Sequence, residues 1–139
     1  MSEQAPDDQR PPIAAAVVIQ DGAVLLVRRR VKEGSLSWQF PAGEVESGEL
    51  PESAAAREAN EETGITVTNG KKLGERVHPN TGRKMVYIAF DSAKGEASVV
   101  DDEELDSLAW VKHSELKEYV PYPFFGPVQD HLDAALLSS

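Results

Sequence analysis

Glu58, Glu61 and Glu62 stand at spacings that a helix would bring to one face, because residues three and four apart are neighbours on its surface. Pro51 suits the first turn, where its missing N–H has no partner to lose, and Gly64 suits the left-handed position past the end. The residues between are mostly Ala and Glu, strong helix formers. On grounds of stability alone, the three acids are badly placed. Like charges at these spacings cost roughly 0.2–0.5 kcal/mol a pair, and the last turns of a helix already carry partial negative charge. A divalent cation removes both penalties. Carboxylate oxygens are the ligands that hard Mg²⁺ or Mn²⁺ prefer, and Mg²⁺ combines one or two of them with water and substrate phosphate oxygens. The bland reading of the same letters is a solvated acidic face.

The flanking residues weigh against the bland reading. The stretch Gly43-x5-Glu49-x7-Arg57-Glu58-Ala59-x-Glu61-Glu62-x-Gly64-Ile65 resembles the signature of the Nudix hydrolases and meets every fixed position. Only Ala59 is smaller than the bulky aliphatic usual there. A pattern with this many fixed residues is specific. It covers 23 of 139 residues, and the adjoining WQFPAG is also similar to the family. The resemblance implies hydrolysis of a nucleoside diphosphate linked to another moiety, by water, at a metal-bound pyrophosphate. It further implies that the Ala42 carbonyl joins Glu58, Glu61 and Glu62 in the metal shell. Glu49 would brace the loop or bind a second ion, Arg57 would orient a neighbouring glutamate, and Gly43 and Gly64 would be structural.

Composition bounds the rest. At 139 residues the chain is expected to form one domain with a real core. A net charge of −10 argues against nucleic-acid polymers and acidic membranes as partners, and a polyanionic substrate would need bridging cations. Without cysteine, neither disulfides nor thiol chemistry can be invoked. Residues 1–12 are polar and Pro-rich, with no signal-peptide core, and no run reaches membrane-spanning length. The expectation is a cytosolic protein, monomer or homodimer, with a frayed tail over 1–12 and a single domain over 13–139.

Strands are predicted over 13–19 and 24–27, joined at Asp21-Gly22, a hairpin signal. The first is apolar throughout, as in a strand covered on both faces. Arg28, Arg29 and Arg30 follow it, and one or more can reach a phosphate, since guanidinium pairs with phosphate in a planar fork; Arg28 and Arg30 are the candidates taken forward. A loop over 33–49 contains a short strand at 38–40, with Trp38 as core packing or a stacking surface. Further strands are predicted over 65–68, 73–77, 85–90, weakly 98–100, and 108–111, with turns at Asn69-Gly70 and over 78–83. Ser114 can cap a short helix to Tyr119, and Pro127 opens a last helix to about 137 with Val128, Leu132 and Leu136 at helical spacing. These elements give an α/β sandwich with a mixed β-sheet, the α/β/α arrangement that the family resemblance also implies.

Within DDEEL at 101–105, Glu104 is favoured over Glu103 as a further metal-binding or proton-accepting glutamate, because similar proteins place one in this region. The reaction expected is attack of cation-activated water on one phosphorus, with Glu58 or Glu104 as proton acceptor. The compact length resembles MutT-like nucleoside triphosphate pyrophosphohydrolases, which release a nucleoside monophosphate and pyrophosphate; 8-oxo-dGTP is the usual candidate. The Asn or Asp that reads the purine edge in that family has no equivalent in VPYPFFGPVQD. Tyr122, Phe124 and Phe125 can stack a base or pack in the core. Pro79, fifteen positions beyond Gly64, resembles a spacing in ADP-ribose-hydrolysing members. A module that senses nucleotides without cleaving them is the alternative of another class, and the intact carboxylates weigh against it.

Overall fold

The computed structural model describes residues 10–30, 38–79 and 81–137. Residues 1–9 of the expected tail, 33–37 of the expected loop and Asn80 of the expected turn lie outside them. Strand β1 (Ile13–Gln20) is central, flanked by β2 (Ala23–Arg29), β4 (Ala42–Glu44) and β7 (Lys84–Phe90). It runs parallel to β7 and antiparallel to β2 and β4, so the sheet is mixed. The sheet continues outward through β6 (Lys71–Val77) on one side. On the other side β3 (Trp38–Gln39) and β9 (Leu105–Lys112) both pair with β2. A two-stranded ribbon, β5 (Thr66–Val67) with β8 (Ala93–Lys94), stands apart.

The β1–β2 turn explains its own sequence: Asp21 and Gly22 both take positive φ, at 54° and 77°, as a two-residue hairpin turn requires. The two strands then separate. They pair only at Ile19 with Val24 and Gln20 with Ala23, while the other end of β1 pairs with β4 from Ile13 to Ala15. Ala16 N–H fills the space between by donating to the Pro41 carbonyl at 2.8 Å. This fork carries the Pro41-Ala42-Gly43 backbone to the mouth of the site.

Successive residues of β1 face opposite sides of the sheet. Ala14, Ala16 and Val18 join a core with Ala54, Ala55 and Ala59 of helix α1 (Pro51–Thr63), whose small side chains let helix and sheet approach closely. Ala15, Val17 and Ile19 join a second core with Val128, Leu132 and Leu136 of helix α3 (Gly126–Leu137). The result is the expected three-layer α/β/α sandwich. Pro11, Pro12 and Arg10 are tied to it: Arg83 Nη2 donates to the Pro11 carbonyl, Val45 N–H to the Pro12 carbonyl, and Arg10 to the Thr81 carbonyl. No helix among the described residues is long and apolar enough to cross a membrane.

Two local expectations are corrected. Residues 98–100 form no strand; Ser98 N–H and Val100 N–H donate to the carbonyls of Thr63 and Glu62, both at 2.9 Å. The segment therefore serves the unpaired carbonyls at the end of α1 instead of a sheet edge. The chain turns from β9 into a 3₁₀ turn at His113–Glu115 and then α2 (Leu116–Tyr119). Its start is held by Glu115, whose carboxylate accepts from Lys112 N–H at 3.1 Å, in place of a Ser114 cap.

Candidate active site

Helix α1 presents the three glutamates because it runs uninterrupted to Gly64, which stops it at φ 83° and donates its N–H to the Asn60 carbonyl. Packing then separates them by burial. Glu62 is 3 % exposed, the Glu58 side chain 15 % and the Glu61 side chain 57 %. All three line a cleft of about 480 Å³ together with Ala42, Gly43, Glu44, Glu46, Arg57, Asp101 and Glu104. Apart from Arg57, every ionisable group on that wall is a carboxylate.

Burial drives the electrostatics. The Glu62 carboxyl is pushed up to about 7, chiefly by desolvation, with Glu58 adding repulsion and Arg29 opposing. Desolvation also raises Glu58, against the pull of Arg57. Glu62 Oε2 accepts from Arg29 at 3.2 Å, whereas its Oε1 is buried with no partner. A buried carboxylate with one oxygen lacking a hydrogen-bond partner, beside a cleft walled by other carboxylates, is costly, and Arg29 offsets only part of that cost.

Arg57 organises the other half of the site. Its Nε and Nη2 form a fork on Glu49 at 2.9 and 3.0 Å, Nη2 also donates to the Glu44 carbonyl, and Nη1 reaches Glu58 at 3.0 Å and Glu61 at 3.3 Å. The Arg57 hydrogen bonds hold the Glu49 carboxyl down at about 2. Glu49 also accepts from Glu46 N–H at 2.9 Å, so one carboxylate pins both the loop and the arginine. Gly43 makes room for the result. A Cβ there would fall inside the Glu58 carboxylate, which ties this glycine to Glu58 and not to backbone conformation.

The donor set suits a hard cation: a buried carboxylate on Glu62 with one unpartnered oxygen, a half-buried one on Glu58, and the Ala42 carbonyl at the cleft. Among the described residues no three such side chains are already gathered around an ion position; Arg29 and Arg57 hold them instead.

The other sequence candidates fall in different places. Glu104 lines the cleft and accepts from Arg29 at 3.1 Å. Arg28 bonds Asp106 at 2.7 Å and lies over the Trp38 ring, and Arg30 donates to the Asp102 carbonyl at 2.7 Å, so neither reaches the carboxylates of α1. Tyr122 is exposed, and Phe124 packs on Phe40, 5.7 Å between ring centroids, in the core on the α3 side. Phe125 packs on Tyr87 in that same core.

Arg29, Glu44, Glu46 and Asp101 are site residues that sequence reasoning did not single out. A signal for Arg29 existed. Alternation along β2 from Leu25, which packs on the α1 side, reaches Arg29 and skips Arg28 and Arg30. The register slip between Arg28 and Arg29 leaves this count intact because the extra residue, Asp106, is on β9. Nothing comparable marks Asp101, which is brought in by the segment capping α1.

A three-layer α/β/α fold whose cleft gathers the glutamates of one helix, a guanidinium fork and a backbone carbonyl fits a phosphoanhydride hydrolase. Comparison with known proteins agrees. The NUDIX domain family model matches residues 10–130. A MutT-like protein of Streptomyces ambofaciens is 32 % identical over 123 residues, spanning 88 % of this chain and 77 % of that protein. An 8-oxo-(d)GTP phosphatase of Mycolicibacterium smegmatis is 39 % identical over 88 residues, 62 % of this chain but only 27 % of the longer relative. An RNA pyrophosphohydrolase of Caulobacter vibrioides is 33 % identical over an alignment of 156 positions, covering 97 % of this chain and 90 % of the relative. A solved structure from a study of MutT of Aliivibrio salmonicida and Vibrio cholerae superposes with a TM-score of 0.70 at 23 % identity, over 94 % of this chain and all of that one. The chain belongs to the Nudix hydrolase family, on its MutT-like side, and is a pyrophosphohydrolase.

Proposed function

We propose that this protein hydrolyses nucleoside triphosphates in a Mg²⁺-dependent reaction, with Mn²⁺ as a substitute, releasing a nucleoside monophosphate and pyrophosphate. The observation that carries the reading is Glu62: a nearly buried carboxylate, one oxygen unpartnered, facing an open cleft beside Glu58. Glu58, Glu62 and the Ala42 carbonyl would hold the cation, with Glu61 at the more exposed edge. Bound there, divalent cations would neutralise phosphate oxygens and lower the pKa of water. Arg57 fixes the Glu58 carboxylate by donating at 3.0 Å, and Gly43 leaves the space it occupies. Glu58, with its proton affinity raised by burial, can take the proton released as water adds to phosphorus; Glu104, which also lines the cleft, is the second candidate.

Several observations bear on the substrate. The relative named an 8-oxo-(d)GTP phosphatase supports an oxidised purine triphosphate as first candidate. The relative named an RNA pyrophosphohydrolase raises the 5′ end of RNA as a second reading. A net charge of −10 and the carboxylates Glu44, Glu46, Asp101 and Glu104 along the cleft favour a mononucleotide over a polymer.

The test is a panel of nucleoside triphosphates, 8-oxo-dGTP, ADP-ribose and 5′-triphosphorylated RNA, with phosphate products quantified for the wild type and for Glu58→Gln and Glu62→Gln. The expected result is monophosphate and pyrophosphate from a triphosphate, with both variants reduced at least about a hundredfold, the lower range for a positioned acid–base or charge-stabilising group. Variants that turn over like the wild type end the proposal.

A further inference from the structure

Two guanidiniums already sit among the groups proposed to bind the metal: Arg57 on Glu58 and Glu61, and Arg29 on the more deeply buried Glu62. Arg29 Nη2 donates to the Ala42 carbonyl at 3.0 Å and to Glu62 Oε2 at 3.2 Å, while Nη1 reaches Glu104 Oε1 at 3.1 Å. A single guanidinium thus spans a backbone carbonyl and carboxylates from two parts of the chain. The contact is sheltered: Glu62 is 3 % exposed and the Arg29 side chain 20 %. Salt screens such a pair weakly. In the metal-free protein Arg29 has a clear purpose, since a buried carboxylate with no counter-charge is strongly destabilising.

That purpose conflicts with metal binding. A dication drawing on Ala42 and Glu62 would meet the guanidinium within hydrogen-bond reach of the same oxygens, and like charges that close in a sheltered site repel strongly. The neighbouring arginines take no part, because Arg28 is held by Asp106 and Arg30 by the Asp102 carbonyl. Glu104 is 63 % exposed, so it is a partner that Arg29 can keep while moving outward.

We infer that Arg29 is an internal competitor of the divalent cation, holding Glu62 and the Ala42 carbonyl in the metal-free protein and releasing both when the ion enters. This rests on the metal-dependent reading of the cleft. Its consequence is specific: intrinsic metal affinity is set by the difference between ion and guanidinium at Glu62, so removing Arg29 tightens metal binding while it loosens the metal-free fold.

The experiment measures Mn²⁺ binding without nucleotide, by calorimetry and by the electron paramagnetic resonance of free Mn²⁺. It compares wild type, Arg29→Gln and Arg30→Gln, with thermal unfolding in EDTA alongside. Arg29→Gln should bind Mn²⁺ on the order of tenfold tighter and melt lower in EDTA. Arg30→Gln removes the same charge one residue away and should change affinity less than about twofold. In the wild type, the Arg29 side-chain N–H resonance should shift as Mg²⁺ is titrated, a readout that does not depend on a variant folding. Unchanged or weaker Mn²⁺ binding by Arg29→Gln, equal tightening by Arg30→Gln, or an unmoved Arg29 resonance at saturating Mg²⁺ overturns the inference alone. Absence of Mn²⁺ binding in all three proteins overturns the metal reading as well.

Discussion

Burial of Glu62 makes the metal-free protein lose stability as the pH rises, and Glu62→Gln should remove that loss. The Glu62 carboxyl lies at about 7 in the folded protein against an ordinary 4.5. A carboxyl raised on folding holds its proton more tightly in the native state. Its contribution is therefore fully present below about 4.5 and disappears as the pH rises through about 7. At about 1.4 kcal/mol for each pH unit between the two values, the total is about 3 kcal/mol, most of it lost between pH 5 and pH 8. Glu58 is raised in the same direction, so the difference between wild type and Glu62→Gln is the quantity to follow. Glutamine keeps the shape and an acceptor for Arg29 but has no proton to lose. Urea unfolding in EDTA, followed by the fluorescence of Trp38 and Trp110, gives the free energies at pH 5 and pH 8. The variant should gain about 2–3 kcal/mol on the wild type between those two pH values. A stability difference that is the same at both refutes the argument, because it means that Glu62 is ionised throughout.

Two further perturbations separate catalysis from folding. Gly43→Ala puts a methyl group into the Glu58 carboxylate, which is the mobile end of a side chain. Stability should therefore change by less than about 1 kcal/mol, below the usual cost of overpacking a rigid core, while kcat falls at least about tenfold, measured by calorimetry and steady-state kinetics. Arg57→Gln breaks the fork on Glu49, whose depressed carboxyl contributes stability above the ordinary carboxylate range and loses it as pH falls toward about 2. Acid unfolding monitored by circular dichroism should move to higher pH in this variant, and kcat should fall as Glu58 and Glu61 lose their donor.

Much of this site follows from spacing, and the rest depends on contacts distant in sequence. Pro51, Gly64 and the interval between them define α1, and the three- and four-residue steps put Glu58, Glu61 and Glu62 on one face whatever the helix packs against. Which of the three is buried depends on how α1 packs against β1, β4 and the segment at 98–101, which no local pattern announces. The role expected of Arg57 came from the family resemblance, and its fork on Glu49, eight residues back in the chain, is a contact that spacing alone did not give. Arg29 was obscured by its neighbours, since three consecutive arginines are equivalent until strand alternation assigns each a face. Residues 98–100 carry strand-forming valines, yet the open carbonyls at the end of α1 outcompete a sheet edge for their N–H groups. The same segment delivers Asp101 to the cleft, so missing its structure meant missing that carboxylate too.

The most direct test of the central claim is phosphorus magnetic resonance of a nucleoside triphosphate incubated with the protein, first in Mg²⁺ and then in excess EDTA. The account predicts resonances of a nucleoside monophosphate and pyrophosphate growing in Mg²⁺ and none in EDTA. Cleavage that proceeds equally in EDTA, or no anhydride cleavage in Mg²⁺ with any nucleotide of the panel, contradicts it.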